Sequence, residues 1–195
     1  MNSTQEDINT LLRLLKDECS YAFDETEMAE FLSNGTTLSL ASGETIVKAA
    51  EVSRDIYFII DGITQSWYWN GDREKTAFFS QAGTMLISYH SYYFGKGSFY
   101  NVSACCPTRI LCVKKEVYDR FIASSHSFAQ WSLSMSQCQL FFFEMKNRVI
   151  AGSARERYEA FIKTRPEIMQ RVPLKIIASY LDVTPQYLSK LRRDI

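Results

Sequence analysis

A series of short β-branched and aromatic segments fills the chain from Thr36 to about Val113, and it restricts the fold more than any other feature. Residues typical of turns separate the segments, which read TTLSL, TIVKA, IYFIIDG, ITQSWYW, EKTAFF and YNVSACCPTRILCV. Asn70-Gly71 lies between two of them and predicts a hairpin, because a type I′ turn needs the positive φ angles that these residues tolerate. About six to eight short strands at this spacing indicate a β-barrel or β-roll.

Helical patterns flank the strands on both sides. Residues 5–33 carry apolar residues near helical spacing until Ser33-Asn34-Gly35 interrupts the pattern. The helical pattern resumes near Lys115. The chain is therefore expected to begin and end with helices around one β unit.

Residues 127–151 contain the clearest periodicity of the chain. Alternating steps of three and four, as in a heptad a/d stripe, separate Phe128, Trp131, Met135, Cys138, Phe142, Met145 and Val149. Because this repeat suits two packed helices, we predict a long helix that forms a dimer interface along the stripe. Leu133, Leu140 and Phe141 make a second apolar face, so one face is expected to pack on the helix's own barrel. The alternative is a helix buried entirely in its own domain.

Composition and charge narrow the class of protein. The 195 residues are 46% apolar, without an apolar run long enough to span a membrane. The start has an acidic pair and no cleavage site, which predicts a cytoplasmic protein without a signal peptide. Residues 1–152 carry 13 basic and 17 acidic residues, whereas residues 153–195 carry 9 and 5. The basic C-terminal part suggests an anionic partner such as nucleic acid.

Cysteines and histidines give little sign of a metal or redox site. The five cysteines are irregularly spaced without a C-x-x-C motif, and His90 and His126 are the two histidines. We interpret the cysteines as buried reduced thiols and expect neither a metal nor a cofactor, with a metal or redox site as the alternative.

Two short helical patterns near the C-terminus carry the functional signal. They are PLKIIASYL (173–181) and TPQYLSKLRR (184–193), and Ser153 to Glu156 fits a capping box for a helix before them. Ala178 supplies the small side chain that two closely crossing helices need, while Thr184 and Pro185 suit the start of the second helix. Asp182 stands at the turn position that is usually glycine, and Asp tolerates left-handed geometry better than most residues.

The second of these helices has the features of a recognition helix. Leu188 and Leu191 face inward, and the other side offers amide, hydroxyl and cationic groups to DNA. The predicted DNA-binding residues are Thr184, Gln186, Tyr187, Ser189, Lys190, Arg192 and Arg193. The alternative is a plain terminal helical hairpin.

The order of a β-roll, a long heptad helix and a C-terminal helix-turn-helix resembles the Crp–Fnr family of bacterial transcription regulators. ASYLDVTPQYLSKLRR after RPEIMQRVP is similar to the Bacteroidetes-type branch. The resemblance implies a homodimer on a two-fold DNA operator, with RNA polymerase as a further candidate partner. By motif position, Gln186 and Lys190 match base contacts, Thr184 and Ser189 match phosphate contacts, and Tyr187 matches either role.

The predicted fold is α+β with three parts. Residues 1–126 form a cyclic-nucleotide-binding-like β-roll of the double-stranded β-helix or jelly-roll type, with N-terminal helices. Residues 127–152 form the long dimerisation helix, and residues 153–195 form the helix-turn-helix domain.

The family's cyclic-nucleotide cassette is altered in this chain. Relatives that bind cyclic nucleotides carry F-G-E-L and, about ten residues later, R-[ST]-A, whose Glu and Arg hold the ribose and the phosphate. Here Ile87-Ser88 replaces Gly-Glu and Ser98 falls near the Arg position. A buried phosphate would lack a cationic partner, so we expect no response to cyclic AMP.

Aromatic residues replace the cassette, and the candidate effector-pocket residues are Ser88, Tyr89, His90, Tyr92, Ser98 and Tyr100. This aromatic wall either binds a different small molecule or fills the pocket itself.

Two functions compete on this evidence. The first is a DNA-binding, dimeric transcription regulator; the alternative is a small-molecule-binding β-barrel whose C-terminal helices serve assembly. An enzyme is not expected, because the sequence shows no nucleophile, carboxylate-pair or metal motif.

Overall fold

A computed structural model describes residues 3–18, 21–150 and 152–193, and the side chains of these residues except 18 and 146–150. The chain starts with helices α1 (Gln5–Glu18) and α2 (Glu25–Ser33). The strands follow as β1 (Thr36–Leu40), β2 (Thr45–Val47), β3 (Ile56–Asp61), β4 (Ile63–Asn70), β5 (Arg73–Gln81), β6 (Met85–Leu86), β7 (Asn101–Ala104) and β8 (Thr108–Val113). The remaining helices are α3 (Tyr89–Phe94), α4 (Lys115–Ser124), α5 (His126–Ile150), α6 (Ala154–Thr164), α7 (Pro166–Arg171), α8 (Leu174–Leu181) and α9 (Pro185–Arg193).

The strands form two antiparallel four-stranded sheets, ordered β1-β8-β3-β6 and β2-β7-β4-β5. Side chains from both sheets meet in a shared apolar core that contains Leu40, Val47, Tyr57, Ile59, Val102, Ala104 and Ile110. The predicted β-roll with flanking helices is therefore confirmed. Strand β5 lies at the end of its sheet and, among the residues that the structure describes, pairs with β4 alone, so its outer edge has no strand partner there.

The predicted hairpin joins β4 to β5, but its turn differs from the predicted type. Asn70 pairs with Arg73, so the loop residues are Gly71 and Asp72. Gly71 has a φ of +66°, whereas Asp72 is not among the residues with positive φ. Because a type I′ turn needs positive φ at both central residues, the prediction of type I′ was wrong; Gly at the first central position suits type II′.

Helices α1, α2 and α4 cover one sheet together with the first half of α5. Asp7 of α1 links this layer to the sheet. Its side chain is almost fully buried, accepts a hydrogen bond from Thr37 Oγ1 of β1 at 2.8 Å and pairs with Arg109 of β8. Burial alone would raise the pKa of Asp7, but the hydrogen bonds from Thr37 and Thr4 and the charge of Arg109 together lower it. Phe31 of α2 sits in the centre, with its ring 4.7 Å from Phe128.

Helix α5 is a single helix of 25 residues, and its apolar stripe has two different environments. Phe128, Trp131 and Met135 are at most 1% exposed, whereas Phe142 and Met145 are 45% and 43% exposed. Trp131 stacks on Phe58 of β3 with ring centroids 6.4 Å apart, which fixes the first half against the roll. Cys138, between the two halves, is half-buried.

The assignment of Phe128, Trp131 and Met135 to a dimer interface was therefore wrong. These side chains pack against α2, α4 and β3 within their own chain and leave no surface for a second one. Among the described side chains of α5, the large apolar ones that are exposed are Leu133, Leu140, Phe141, Phe142, Phe143 and Met145. The side chain of Val149, the last predicted interface residue, lies outside the described part of the chain.

Four short helices, α6 to α9, follow and share one apolar core. Ser153 and Glu156 form the predicted capping box at the start of α6. Pro166 occupies the first turn of α7, while Pro173 precedes α8 as its N-cap residue. Buried Tyr158, Phe161, Ile168, Ile177, Leu181 and Leu188 make up much of this core.

The cysteines within the described residues are free thiols. Cys105 and Cys106 are buried, and Cys112 and Cys138 are partly buried. Burial raises the pKa of the Cys105 thiol to about 12 and that of Cys112 to about 11, so both are protonated near neutral pH. Cys19 lies outside the described residues.

Across the described ranges, no helix combines the length and apolar character that crossing a membrane requires.

Candidate nucleic-acid interface

The turn between α8 and α9 has the geometry of a helix-turn-helix. Asp182 adopts the left-handed conformation with φ 57° and ψ 46°. It occupies the turn position at which glycine is usual. Val183 N–H donates to Ala178 O at 3.0 Å, and Asp182 N–H donates to Ser179 O at 3.4 Å. This pair of bonds is a Schellman motif, which ends α8 and redirects the chain into α9.

Helix α9 begins at a capped turn and packs with one side only. Thr184 Oγ1 accepts a hydrogen bond from Tyr187 N–H at 3.1 Å, as an N-cap side chain does. Leu188 and Leu191 are buried in the core of α6 to α9. The spacing of these two leucines directs the remaining side chains away from the core.

The outward side of α9 presents the predicted DNA-binding residues to solvent. Thr184, Gln186, Tyr187, Lys190, Arg192 and Arg193 are exposed, and Ser189 is half-buried. The side therefore combines three cations with one amide and one aromatic ring. Such a set provides charge for phosphates and donors for base edges.

The first helix of this unit is bound to the free edge of β5. Ser179 Oγ accepts a hydrogen bond from Thr76 N–H at 2.9 Å and donates to Glu74 O at 2.7 Å. One side chain thus satisfies a donor and an acceptor that an edge strand would otherwise leave exposed. This role of Ser179 has no signal in the sequence, because no local pattern indicates which strand lies opposite the helix.

Ion pairs surround this contact. Lys75 Nζ lies 2.5 Å from Asp182 Oδ1, and Arg171 Nη1 lies 3.1 Å from Asp61 Oδ1. The hydrogen bond from Lys75 lowers the pKa of the Asp182 carboxyl. Burial opposes this shift, and the charges of Lys75 and Arg157 add to it. Asp182 therefore serves both the turn and the attachment to the roll.

An apolar contact lies beneath these polar ones. The ring of Phe79 in β5 is 5.0 Å from Tyr180 and 6.2 Å from Phe161. Ile63, Cys105 and Cys106 of the roll belong to the same cluster. The helix-turn-helix unit is therefore packed on its own β-roll, while the outward side of α9 stays exposed.

The six candidate effector residues contact different parts of the molecule. Tyr89 points to α5, where its hydroxyl is 3.2 Å from Ser136 Oγ. Tyr92 donates to Asp119 of α4, and burial together with this carboxylate raises the pKa of Tyr92. His90 Nδ1 lies 2.7 Å from Gly97 O, and its ring stacks on Phe99 at 4.1 Å.

The remaining three, Ser88, Ser98 and Tyr100, also have partners within the chain. Ser88 Oγ donates to Ser91 Oγ at 3.2 Å, and Ser98 Oγ donates to Tyr100 O at 2.8 Å. The Tyr100 ring lies 5.9 Å from both Tyr68 and Phe78. Phe78 in turn is 5.8 Å from Phe143 of α5, so aromatic rings connect the roll with α5 in this region.

Two open hollows, of about 620 and 700 Å³, lie elsewhere on the surface. The first is lined by residues of β2, the β2–β3 loop and the start of α4, and the second by residues of α2 and α4. None of the six candidate effector residues lines either hollow. Within the described part of the chain, no group of three or more His, Cys, Asp or Glu side chains is arranged to hold a metal ion.

Comparison with solved structures gives the same fold in bacterial regulators. FixK2 from Bradyrhizobium japonicum superposes with a TM-score of 0.70 at 19% identity, over 82% of this chain and 83% of that one. The c-di-GMP-responsive global regulator CLP of Xanthomonas campestris gives a TM-score of 0.69 at 13% identity, over 88% and 91%. A protein from Eubacterium rectale, described as a Crp/Fnr-family transcriptional regulator, gives 0.66 at 14% identity, over 87% and 82%.

No family model matches the chain, and no curated protein matches it in sequence. The likeness therefore lies in the three-dimensional structure. At the level of the fold, the resemblance to Crp–Fnr regulators is confirmed.

Proposed function

We propose that this chain, which shares its fold with Crp–Fnr regulators, is a cytoplasmic transcription regulator that binds DNA sequence-specifically as a homodimer. Its proposed parts are the sensor-like roll (1–126), the long helix (127–152) and the DNA-binding unit (153–195). RNA polymerase is its proposed further partner. The regulators among its structural neighbours also favour a protein that is not an enzyme.

The observation that carries this proposal is the exposed polar side of α9. Lys190, Arg192 and Arg193 are exposed, while Leu188 and Leu191 hold the opposite side of the helix in the core. A helix that served only assembly would be expected to leave apolar side chains outward. Here the outward side carries groups that pair with phosphates and base edges.

Gln186 and Lys190 are the proposed base contacts, and Thr184 and Ser189 are the proposed phosphate contacts. Tyr187, 44% exposed, is available for either role. Arg192 and Arg193, in the last turn of α9, add positive charge at the end of the helix. Arg192 also lies near the Tyr158 hydroxyl of α6, whose pKa is raised by burial and lowered in part by that charge.

We also propose that the protein does not respond to cyclic AMP. Ser88 and Ser98 supply no positive charge, and both are engaged with their own chain. The rings of Tyr68 and Phe78 both pack on the ring of Tyr100, whose carbonyl oxygen accepts the hydrogen bond from Ser98. This packing favours a filled pocket over an open one, and it does not favour the small-molecule-binding β-barrel.

The decisive experiment measures binding of the full chain to duplexes selected from a random-sequence pool, at several salt concentrations. We expect affinity to fall as salt rises, since phosphate contacts release counterions. Lys190→Ala and Arg192→Ala should each weaken binding. A residue that contacts a base should cost about 1–3 kcal/mol when it is removed. A residue that contacts a phosphate should instead lower by about one the slope of log affinity against log salt concentration.

Lys163→Ala is the matched control, because Lys163 is an exposed cation on α6 that is not a proposed contact. The recognition-helix proposal is wrong if the α9 variants bind the selected duplexes as tightly as the wild type. Adding cyclic AMP should leave the affinity unchanged. A clear rise would refute the proposed insensitivity while leaving DNA binding intact.

A further inference from the structure

We infer that the second copy of the chain covers two tyrosines of α3, Tyr89 and Tyr93, in addition to the exposed part of α5. This inference rests on the proposed homodimer and names a surface outside the long helix. Helix α3 replaces the nucleotide cassette in sequence, and its tyrosines are assigned here to contact between protomers.

The two tyrosines continue the apolar surface of α5 sideways. Tyr89 meets α5 at Ser136, with 3.2 Å between the two hydroxyl oxygens. Leu133 and Leu140 lie one helical turn before and after Ser136, and they are 51% and 59% exposed. Tyr93 stacks on Tyr89 with ring centroids 6.0 Å apart and an interplanar angle of 13°. A single strip therefore runs from Leu140 to Tyr93.

The area of α5 explains why a dimer needs this strip. Among the described side chains of α5, six apolar ones are each 43–59% exposed. Leu140, Phe141, Phe142 and Phe143 are consecutive and point to different sides of the helix, because successive residues lie about 100° apart. One partner therefore covers only some of the six, and it buries less than the roughly 600 Å² that all six would give if each offers about 200 Å² in full. A standard interface buries about 800 Å² per partner. Tyr89 and Tyr93, 37% and 69% exposed, add roughly 200 Å² beside α5 and bring the covered area closer to that value.

The charge of the strip favours a second copy as its occupant. Leu133, Ser136, Leu140, Tyr89 and Tyr93 are all uncharged. In a two-fold interface each residue near the axis approaches its own equivalent, so a charge there would be repelled by its copy. An uncharged strip meets itself without that penalty, whereas a nucleic-acid partner would require cations.

Helix α3 also provides an internal control. Phe94 follows Tyr93 directly and is exposed to the same extent, 71% against 69%. It lies about 100° further round the helix, and its ring packs beside His90 at 5.9 Å rather than beside Tyr89. Replacing Phe94 therefore removes an exposed aromatic ring from α3 without changing the strip, whereas replacing Tyr93 changes the strip itself.

The experiment is analytical ultracentrifugation of the full chain over a range of protein concentrations. We expect the wild type to dimerise and Tyr93→Ser to raise the dimer dissociation constant about tenfold, as for a tyrosine in an interface. Leu140→Ser should weaken the dimer by a comparable factor, and Phe94→Ser should leave it unchanged. Circular dichroism verifies that each variant is folded.

The outcomes separate this inference from the proposal on which it rests. A wild type that stays monomeric at every concentration overturns both the proposed homodimer and the tyrosine strip. A dimeric wild type that Leu140→Ser weakens and Tyr93→Ser does not overturns the strip alone. Equal weakening by Tyr93→Ser and Phe94→Ser also overturns it, because the effect would then not follow the face of α3.

Discussion

The two faces of strand β5 contact different parts of the molecule. Successive residues of a strand point to opposite faces, and here they are Phe78 and Phe79. The Phe78 ring lies 5.8 Å from Phe143 of α5. The Phe79 ring lies 5.0 Å from Tyr180 of α8. One strand therefore contacts the long helix with one face and the helix-turn-helix unit with the other.

The two contacts differ in how completely they are buried. Phe79 is 7% exposed and belongs to the core that the roll shares with α6 to α9. Phe78 is half-buried, and its partner Phe143 is 45% exposed. The contact between the helix-turn-helix unit and the roll is consequently buried, whereas the described contact between β5 and the second half of α5 is partly exposed.

The largest effect is expected from Phe79→Ala. Removing a buried Phe from a packed core costs about 3–5 kcal/mol, because the lost transfer energy adds to the cost of the cavity. Denaturant unfolding of the full chain measures this loss. Trp69→Ala on the neighbouring strand is the control, since Trp69 is 58% exposed and packs on the Trp67 ring, so we expect a loss of only about 1 kcal/mol. Similar losses for the two variants would contradict the shared core.

A smaller effect is expected from Phe78→Ala. The ring is half-buried and makes aromatic contacts with Tyr100 and Phe143, each worth about 0.5–1.5 kcal/mol. We therefore expect a loss of about 1–2 kcal/mol, with faster amide hydrogen exchange in the second half of α5. Exchange in α8 should stay as in the wild type. If α8 exchanges faster and α5 does not, the two faces of β5 do not act separately.

Local signals in the sequence predicted much of the fold and the outward side of α9. Thr184 and Pro185 start a helix wherever it packs, and Ser153 with Glu156 forms its capping box from neighbouring residues alone. The alternation of Leu188 and Leu191 with polar residues likewise defines an outward side before any partner is known. Such features depend on contacts within a few residues.

Features that depend on distant contacts could not be predicted. The heptad stripe of α5 is continuous in sequence, but Phe31 and Phe58 bury its first half, whereas Phe142 in its second half is 45% exposed. The periodicity shows that an apolar surface must be covered, without showing whether the cover comes from the same chain. The bond between Ser179 and β5 spans more than 100 residues, so no local pattern indicated it.

Ser179→Ala tests the polar part of the contact between α8 and β5. The variant leaves Thr76 N–H and Glu74 O without their side-chain partner, although water can reach the strand edge in part. We expect a loss of about 1 kcal/mol in denaturant unfolding. Ser179→Thr keeps a hydroxyl and should recover most of the loss. Equal losses for Ala and Thr would indicate that packing around Ser179 matters more than its hydrogen bonds.

The smallest effect is expected from Lys75→Met, which removes the ion pair with Asp182. The Asp182 side chain is 71% exposed, so solvent screens the pair and the loss should not exceed about 1 kcal/mol. The pair lowers the pKa of Asp182 below its ordinary value of 3.8. Its contribution is therefore present above that pH and is lost as the pH falls through the lowered pKa.

The pH and salt dependence distinguish this pair from simple packing. The difference in unfolding free energy between the wild type and Lys75→Met should be constant near neutral pH, shrink below about pH 4, and shrink again in high salt. Lys48→Met is the control, because Lys48 and Glu51 are 3.8 Å apart and both are more than 60% exposed. A Lys75 effect that persists at low pH would mean that its methylene groups, and not its charge, hold β5 against the turn of the helix-turn-helix.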